Sequence, residues 1–235
     1  MTKVIIGIQA RSTSTRLPNK CFEMIGNRNI LDHVIASALI AERYVNNFTR
    51  KHGVETQTML LVPKGDPLIP RFRRSCPIFE GSEPDVLDRY YQAMVTFGCD
   101  YMVRITGDCP LLPSNIISKH IKVGINNDYD YLSNVDDRLS IDGVDCEFIS
   151  SRLLGWLHET ATKPYDREHV TTYARSNKPD WASYGAFQGF FDLSNIKLSV
   201  DTPEDLERVR AEYNKIFSKI NNLEARYGRS AVHRY

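Results

Sequence analysis

The sequence predicts an α/β fold with a mostly parallel sheet, and two observations support this prediction. Apolar runs of strand length alternate along the chain with longer segments whose apolar residues recur at helical spacing. Several runs, such as residues 4–9 and 101–105, end abruptly in polar residues, glycine or proline. This alternation is typical of βαβ units, whose functional loops gather at the carboxyl edge of the sheet.

Length and composition narrow the class of protein. The chain has 235 residues, 42% hydrophobic and 25% charged, with a formal net charge of +1. The near-neutral charge argues against a nucleic-acid binder, and no apolar segment is long enough to span a membrane. Five scattered cysteines favour reduced thiols in a cytoplasmic protein, where they serve as small core residues. An apolar run follows the first three residues directly, so no signal peptide is expected.

In the first half of the chain, residues 4–9 predict a strand that is covered on both faces. Asn29 is expected to cap a helix with apolar positions between Leu31 and Ala41. The polar stretch 46–57 is expected to be an exposed connection to a second buried strand at residues 59–62.

A short strand near residues 77–79 is expected next. Ser82 and Asp85 form a predicted capping pair for the following helix, whose apolar stripe ends at Phe97. A third strand at residues 101–105 and a helix at residues 113–125 complete this part of the chain.

The second half predicts strands near residues 129–132, 144–149, 181–187 and 196–200, and helices at residues 151–160 and 167–176. Thr202 and Asp205 form a capping pair around Pro203, which stands at the first position of a final helix. The expected buried face of that helix comprises Leu206, Val209, Tyr213, Ile216, Phe217 and Ile220.

The loop after the first strand carries the strongest functional signal. Arg11, Arg16 and Lys20 lie in a hydroxyl-rich segment, and no acidic residue precedes Glu23. Cationic groups, hydroxyls and backbone amides are the donors that hold phosphate oxygens. The loop favours a triphosphate site without the spacing of a Walker loop, although such a loop is as often solvated surface.

Two aspartates stand at predicted strand ends. Asp108 follows Gly107 after the third strand, and Asp201 follows the last strand. Mg²⁺ takes only one or two protein carboxylates and completes its shell with phosphate oxygens and water. Each aspartate alone is equally explained as a turn or helix-start residue. Together, beside a cationic loop, they suit metal-assisted nucleotidyl transfer.

Two polar clusters in the second half are weaker candidates. Asp145 and Glu147 belong to one cluster, and Arg167 and His169 belong to the other. We expect these four residues to bind an acceptor substrate, with the two cations suited to an anionic one. A histidine can serve as a general base near neutral pH, so His169 is also a candidate for that role. An ordinary charged helix start explains the second cluster equally well.

Five collinear blocks resemble the cytidylyltransferase family of the spore-coat-polysaccharide type and, more distantly, CMP-Kdo and CMP-acylneuraminate synthetases. The first reads Gln9-Ala10-Arg11-x-x-Ser14-Thr15-Arg16-Leu17-Pro18-x-Lys20, and the others cover residues 81–91, 104–111, 167–171 and 200–206. Blocks spread over most of the chain are far more specific than any single motif.

The resemblance implies a three-layer α/β/α nucleotide-diphospho-sugar transferase fold, Rossmann-like, with a mostly parallel mixed sheet. It implies a single domain over residues 1–235, with a substrate and dimerisation subregion at about 133–190, and a homodimer. The implied activity uses CTP and Mg²⁺ and transfers CMP to an acidic sugar or small phosphorylated acceptor, with release of pyrophosphate, for surface-polysaccharide biosynthesis.

The resemblance also assigns residues. Arg11, Lys20 and Asp108 are expected to be catalytic, and Asp108 and Asp201 to hold the metal. The expected nucleotide-binding residues are Ala10, Arg11, Ser14, Thr15, Arg16, Lys20, Gly81, Ser82, Thr106 and Asp108.

Some positions depart from the family pattern. Relatives are expected to carry a glycine in the loop where Thr13 or Asn19 stands. Residues 46–57 and the tail after 220 fall outside the blocks. Two other functions stay open. One is a glycosyltransferase of the related fold, a class that generally needs an Asp-x-Asp motif at the strand end where this chain has Thr106-Gly107-Asp108. The other is a non-catalytic nucleotide-binding protein.

Overall fold

A computed structural model describes residues 1–49, 53–135, 141–187 and 195–227. Nine strands lie within these ranges: β1 (Thr2–Gln9), β2 (Met24–Ile25), β3 (Arg28–Asn29), β4 (Val54–Pro63), β5 (Ile78–Gly81), β6 (Tyr101–Thr106), β7 (Tyr131–Ser133), β8 (Glu147–Ser150) and β9 (Tyr184–Ala186). The helices there are α1 (Ile30–Thr49), α2 (Leu68–Phe72), α3 (Val86–Phe97), α4 (Ser114–Asn126), α5 (Ser151–Thr160), α6 (Pro164–His169), α7 (Thr172–Ser176) and α8 (Pro203–Tyr227).

Seven of the strands form one mixed sheet in the order β5-β4-β1-β6-β8-β7-β9. The strands from β5 to β6 are parallel, whereas β8 is antiparallel to both of its neighbours, β6 and β7. Helices α1 and α4 pack on one face of the sheet, and α3 and α5 pack on the other. The predicted three-layer α/β/α architecture with a mostly parallel mixed sheet is therefore confirmed.

Strand β1 shows why an uninterrupted apolar run predicts a strand that is covered on both faces. Successive side chains of a strand point to opposite faces, so Val4, Ile6 and Ile8 pack beneath α1, while Ile5 packs beneath α3. With parallel neighbours on both sides, β1 occupies the middle of the sheet, and its carboxyl end opens at the centre of that edge.

The prediction of an exposed connection at residues 46–57 is wrong. Helix α1 continues to Thr49, and β4 begins at Val54 and pairs with the full length of β1. Thr56 and Thr58 are only 2% and 0% exposed, and the Asn46 side chain bonds to the backbone of Thr56 in both directions at 2.8 Å. Polar composition indicated a loop here, but alternating threonines also suit a buried strand.

Two helix starts also differ from the predictions. The N-cap of α3 is Asp85, which accepts a bond from the Asp88 amide at 2.9 Å, while Ser82 Oγ accepts from the Asp85 amide at 3.2 Å. The predicted helix at residues 167–176 is two short helices, α6 and α7. Val170 separates them with a φ of 61°, a left-handed conformation that a β-branched residue rarely adopts.

The remaining differences concern short elements. Strands β7, β8 and β9 are shorter than predicted, and residues 196–200 contribute only an isolated bridge between Lys197 and Asp142 to the pairing described for this part of the chain. The hairpin β2–β3 and helix α2 were not predicted. Each is too short to show a hydrophobic period.

The start of α8 follows the prediction closely. The Asp205 amide donates to Thr202 Oγ1 at 3.2 Å, and the Thr202 amide donates to Asp205 Oδ2 at 3.1 Å. Leu206 and Val209 are buried against the β2–β3 hairpin. The predicted burial of Ile216 and Phe217 is wrong, because these side chains are 48% and 51% exposed.

All five cysteines are buried and unpaired with one another, which confirms their prediction as core residues. No helix within the described ranges has the length and hydropathy needed to cross a membrane.

Replacing Thr202 by Ala should lower the free energy of unfolding by about 1 kcal/mol, because the substitution removes an N-cap acceptor of α8. Thr202→Ser keeps the hydroxyl and is the matched control. Urea denaturation of both variants measures the difference. Equal unfolding midpoints for the two variants would show that the capping pair does not stabilise the helix.

Candidate active site

A cleft of about 420 Å³ opens at the carboxyl edge of β1 and β6. Most of the predicted site residues line it, namely Ala10, Arg11, Ser14, Thr15, Arg16, Lys20, Thr106, Asp108, Asp145, His169 and Asp201. Gly81, Ser82, Glu147 and Arg167 are not among the lining residues. The fold therefore brings together residues from five widely separated parts of the chain.

Lys20 lies at the centre of the polar contacts in this cleft. Its ammonium group donates to Asp108 Oδ2 at 2.7 Å, to Asp201 Oδ1 at 3.1 Å and to the carbonyl of Val200 at 2.9 Å. A residue predicted to bind phosphate thus joins the two residues predicted to hold a metal. Its side chain is only 13% exposed, so these contacts are shielded from solvent.

These contacts set the charge states of the site. Burial lowers the pKa of Lys20, but Asp108 and Asp201 outweigh it and raise that pKa above its ordinary value. Burial raises the pKa of Asp108, but the Lys20 ammonium and a hydrogen bond from Thr106 hold it below the usual range. At neutral pH the site therefore contains an ammonium group between carboxylates.

The two other cations of the first loop also have acidic partners. Arg16 lies 3.0 Å from Asp201 Oδ1, and Arg11 lies 3.6 Å from Glu168. Both arginines are exposed enough for these pairs to be weak. Phosphate oxygens can therefore replace the carboxylates at little cost.

Two anchors hold the loop in place. The Ser12 amide donates to the buried carboxylate of Asp66 at 3.0 Å, and Asp66 also accepts from the Leu68 amide at 2.8 Å. Asn19 adopts φ 58° and ψ 24° just before Lys20. Asparagine tolerates this left-handed conformation better than most residues. Asn19 therefore serves at one of the two positions where a glycine was expected.

Close backbone contacts bring the strand ends together. A Cβ atom on Gly107 would lie 2.9 Å from the Ala10 Cβ, and the Gly107 amide donates to the carbonyl of Gln9 at 2.8 Å. The Val200 amide donates to the carbonyl of Asp108 at 2.9 Å. The absence of a side chain at Gly107 lets the ends of β1 and β6 meet, with Asp108 directed beside Lys20.

Glu147 lies behind the cleft rather than in its lining. It is 1% exposed and accepts hydrogen bonds from Arg104, from Tyr131 at 2.6 Å and from Thr171 at 2.5 Å. Burial raises the pKa of Glu147, but Arg104 and the two hydroxyls hold it below its ordinary value. Arg104 itself lines the cleft, so Glu147 fixes a cation that faces the open space.

Asp145 is a cleft residue whose carboxyl group has a perturbed pKa. Burial, with repulsion from Asp142 and Glu147, raises the pKa of Asp145 to about 6, although Arg104 opposes this shift. Asp142 also lines the cleft. A carboxyl group that gains its charge near neutral pH inside a cleft is a candidate functional group.

The other predicted residues outside the lining are structural in this geometry. Arg167 donates to Asp85 at 2.5 Å and to the carbonyl of Ala161 at 2.9 Å, which ties α6 to α3 and α5. A Cβ on Gly81 would lie 2.7 Å from Arg89, a buried arginine whose Nε donates to the carbonyl of Ser82 at 2.8 Å. Gly81 and Ser82 thus shape the position of Arg89.

Four charged residues that line the cleft were not selected as site residues from the sequence: Arg89, Arg104, Asp142 and Glu168. Arg104 was detectable, because a charge within the apolar run of residues 101–105 needs a special environment. Arg89 follows Asp88 on α3, and Glu168 lies on α6 between Arg167 and His169. Nothing in those sequences marks these two as different from surface residues.

The donor set also fits a small divalent cation. The described residues contain no cluster of three or more potential His, Cys, Asp or Glu metal ligands. Asp108 and Asp201, however, both contact one cation, the Lys20 ammonium. Two carboxylates directed at one point match Mg²⁺, which obtains its other ligands from phosphate and water.

A mixed sheet whose carboxyl edge presents a cationic loop and two carboxylates defines a nucleotide-binding protein of the nucleotidyltransferase type. The family model for Cytidylyltransferase matches residues 4–225. The chain belongs to this cytidylyltransferase family, as its sequence blocks predicted.

Relatives in sequence extend over nearly the whole chain. An uncharacterized protein of Methanocaldococcus jannaschii is 31% identical over 220 residues, which cover 93% of this chain and 86% of that protein. Spore coat polysaccharide biosynthesis protein SpsF of Bacillus subtilis is 28% identical and is covered over 88% of its length, with 92% of this chain aligned.

Solved structures show the same fold. A cytidylyltransferase from Leptospira borgpetersenii matches with a TM-score of 0.78 and 26% identity, covering 95% of this chain and 97% of that one. CMP:2-keto-3-deoxy-manno-octonic acid synthetase, solved with CTP, matches with a TM-score of 0.67 and 14% identity over 91% of this chain and 99% of its own. The predicted nucleotide-diphospho-sugar transferase fold is confirmed.

Replacing Glu147 by Gln should lower the free energy of unfolding by about 3 kcal/mol, because it leaves the buried charge of Arg104 without its partner. Glu168→Gln removes a carboxylate from an exposed ion pair and should cost less than about 1 kcal/mol. Chemical denaturation at pH 7 measures both. Similar losses in the two variants would contradict the assigned role of Glu147.

Asp145→Asn should increase the free energy of unfolding at pH 8 by about 1 kcal/mol and should change it little at pH 4. The wild-type carboxyl has a raised pKa in the folded state, so its ionisation costs stability as pH rises from about 4 to about 6. Denaturation curves of the wild type and the variant across this pH range measure how the difference in the free energy of unfolding changes with pH. An equal gain in the free energy of unfolding at pH 4 and pH 8 would contradict a raised pKa of Asp145 in the folded state.

Proposed function

We propose that the chain is a cytoplasmic, Mg²⁺-dependent cytidylyltransferase that transfers CMP from CTP to a small anionic acceptor with release of pyrophosphate. The acceptor class is an acidic sugar or a small phosphorylated compound. The observation that supports this most directly is the position of Lys20 between Asp108 and Asp201, beside the arginines of the first loop. This arrangement supplies cations for a triphosphate and two carboxylates for a metal at one strand edge.

The relatives support the choice of nucleotide and pathway. The structural neighbour that makes CMP-linked 2-keto-3-deoxy-manno-octonic acid was solved with CTP, and SpsF is named for spore coat polysaccharide biosynthesis. We extend both properties to this chain as part of the proposal, with surface polysaccharide as the end product. The role of residues 133–190 in substrate binding or dimerisation stays a prediction.

The loop residues would bind the triphosphate in a defined way. Arg11 and Arg16 would exchange their weak ion pairs for charge-assisted hydrogen bonds to phosphate oxygens. Ser14 and Thr15 line the same space and supply hydroxyl donors. The Lys20 ammonium group is already held in place in the cleft, so little side-chain entropy would be lost when it binds phosphate. It would therefore stabilise negative charge that develops on the pyrophosphate leaving group.

Asp108 and Asp201 would hold the Mg²⁺ ion. When bound, the ion would neutralise phosphate charge and steady in-line attack at the α-phosphorus. The two carboxylates now share the Lys20 ammonium, so binding of a metal–triphosphate complex would redistribute these contacts. Lys20 could then move its hydrogen bonds from carboxylate to phosphate oxygens over a short distance.

The far side of the cleft is suited to an anionic acceptor. Arg104 is fixed there by Glu147, and its Nε is a buried donor without a hydrogen-bond partner among the described residues. His169 and Asp145 line the same cleft. An arginine Nε–H that is still available to donate, beside acidic and imidazole groups, matches an acceptor that carries a carboxylate or phosphate together with hydroxyls.

A pyrophosphate-release screen tests the proposed reaction. The four NTPs should be crossed with acidic sugars and phosphorylated small molecules in the presence of Mg²⁺. We expect release with CTP and one acceptor class, and loss of release when EDTA removes the metal. Transfer of a sugar from an intact nucleotide sugar without pyrophosphate release would support a glycosyltransferase instead.

Asp108→Asn should lower kcat at least about 1,000-fold, because the variant keeps the shape of the side chain but loses a metal-binding charge. Asp100→Asn is the matched control, since Asp100 precedes β6 at the opposite edge of the sheet and should leave kcat unchanged. Circular dichroism and steady-state kinetics compare the two. Full activity in Asp108→Asn would refute its assignment to the metal.

A further inference from the structure

Asp145 differs from the two proposed metal ligands in its contacts. Asp108 and Asp201 both bind the Lys20 ammonium, whereas neither oxygen of Asp145 has a hydrogen bond or ion pair with any residue that the structure describes. Asp145 is nevertheless half-buried, while the neighbouring cleft carboxylate, Asp142, is exposed to solvent. A half-buried carboxylate is costly without a partner, so Asp145 needs a functional explanation.

The pairing of two strands places Asp145 beside the proposed metal site. Strand β8 runs antiparallel to β6, with Glu147 opposite Arg104. Continuing this register by two residues brings Asp145 opposite Thr106, near the end of β6, and onto the same face of the sheet as Glu147. Arg104 lowers the pKa of Asp145 and Asp108 raises it, so both charges act on this carboxyl group. Asp145 therefore lies between the cation on the far side of the cleft and the proposed metal site.

Two buried polar atoms of the cleft point to the position of the acceptor. Gln9 Oε1 and Arg104 Nε have no hydrogen-bond partner among the described residues, and both side chains line the cleft. In the register of β1 and β6, Gly7 pairs with Arg104 and Gln9 pairs with Thr106. The two side chains therefore lie on the same face of the sheet. Because buried polar atoms are normally hydrogen-bonded, an acceptor that donates a hydroxyl to Gln9 and places an anionic oxygen on Arg104 would satisfy both atoms beside Asp145.

We infer that Asp145 is the general base that accepts the proton of the attacking acceptor hydroxyl, a role that rests on the proposed cytidylyl transfer. The hydroxyl oxygen forms a bond to the α-phosphorus of CTP, and its proton passes to a carboxylate oxygen of Asp145. The bond from the α-phosphorus to the bridging oxygen breaks, and its electron pair leaves with pyrophosphate. No further reactant is needed to balance this step.

The same carboxylate restricts the kind of group that attacks. An attacking phosphate would bring another negative charge against Asp145, and like charges at short range repel. A hydroxyl group approaches as a neutral donor and can form a charge-assisted hydrogen bond to the carboxylate. We therefore expect the acceptor to attack through a hydroxyl group while its anionic group binds Arg104.

The surroundings of Asp145 also suit proton transfer at neutral pH. Burial, with repulsion from three nearby carboxylates, raises the pKa of Asp145 to about 6, although Arg104 opposes this shift. The three carboxylates are those of Asp142, Glu147 and Asp108. Asp145 is then mostly ionised at pH 7, and it is a stronger base than an ordinary aspartate.

Kinetics of Asp145→Asn test this role. The variant should lower kcat at least about 100-fold with the acceptor that supports pyrophosphate release in the screen. The dissociation constant of the Mg²⁺ complex of CTP, measured by isothermal titration calorimetry, should change less than about threefold. Asp128→Asn is the matched control and should keep kcat within about twofold. Asp128 contacts Tyr101 at the opposite edge of the sheet, and its φ of 51° suits asparagine.

The wild type separates failure of this role from failure of the proposed function. If the wild type releases pyrophosphate and Asp145→Asn keeps the same kcat, the base is not Asp145, while cytidylyl transfer stands. If the wild type releases no pyrophosphate with any pair of NTP and acceptor, both proposals are overturned. His169 is the rival base, because it also lines the cleft. A greater loss of kcat in His169→Gln than in Asp145→Asn would also overturn the role of Asp145.

The pH dependence gives a readout that a purely structural role would not change. At saturating CTP, kcat/KM of the wild type for the acceptor should rise from acid pH and level off once Asp145 is ionised. Ionisation of the acceptor affects both proteins equally, so the ratio of wild-type to Asp145→Asn values reports on Asp145 alone. That ratio should increase about tenfold per pH unit below the pKa of Asp145 and stay constant above it. A ratio that is constant from about pH 5 to about pH 8 would overturn the inference.

Discussion

The hydrogen bonds of one buried ammonium group hold the two ends of the active site together. Lys20 joins the loop after β1 to Asp108 at the end of β6 and to Asp201 before α8. These residues come from separate elements, and each could occupy many positions without a common partner. The loop reaches this point because Asp66 anchors Ser12 and because Asn19 accepts a left-handed conformation. The backbone conformation of the loop thus places Lys20 where it can contact both aspartates.

The same contact shows how a highly charged cleft is stable without substrate. The loop cations are paired with carboxylates that are also the proposed metal ligands, or with Glu168. Deeper in the fold, Arg104 and the buried Glu147 form a largely buried pair, and two hydroxyl groups also donate to Glu147. The exposed pairs can exchange partners, whereas the buried pair is rigid. The proposed binding of a triphosphate and a metal requires exchangeable contacts, and acceptor orientation requires fixed ones.

Sequence reasoning was most reliable where the physical signal was local. The period of β1, the capping box at Thr202 and the helical stripe of α3 were all determined by neighbouring residues. It was least reliable where tertiary burial decided the outcome, as at Thr56 in β4 and at the break between α6 and α7. The loop cations, Asp108 and Asp201 were found because the strand ends they follow share one edge, and most of the other predicted cleft residues came from the family resemblance. Arg89 was missed because its burial depends on the space left by Gly81, a packing contact that the residue pattern of α3 does not show.

The bond between Lys20 and Asp201 spans 181 residues, and this separation has a consequence for folding. During synthesis, residues before position 200 can form most of the sheet, but Lys20 has only part of its hydrogen-bonding shell. The hairpin residues Ile25 and Ile30 also lack Leu206 and Val209, which cover them in the complete fold. Contacts of such high sequence separation form late because closing a long loop costs entropy. The proposed nucleotide site should therefore form in the last step of folding, when α8 docks.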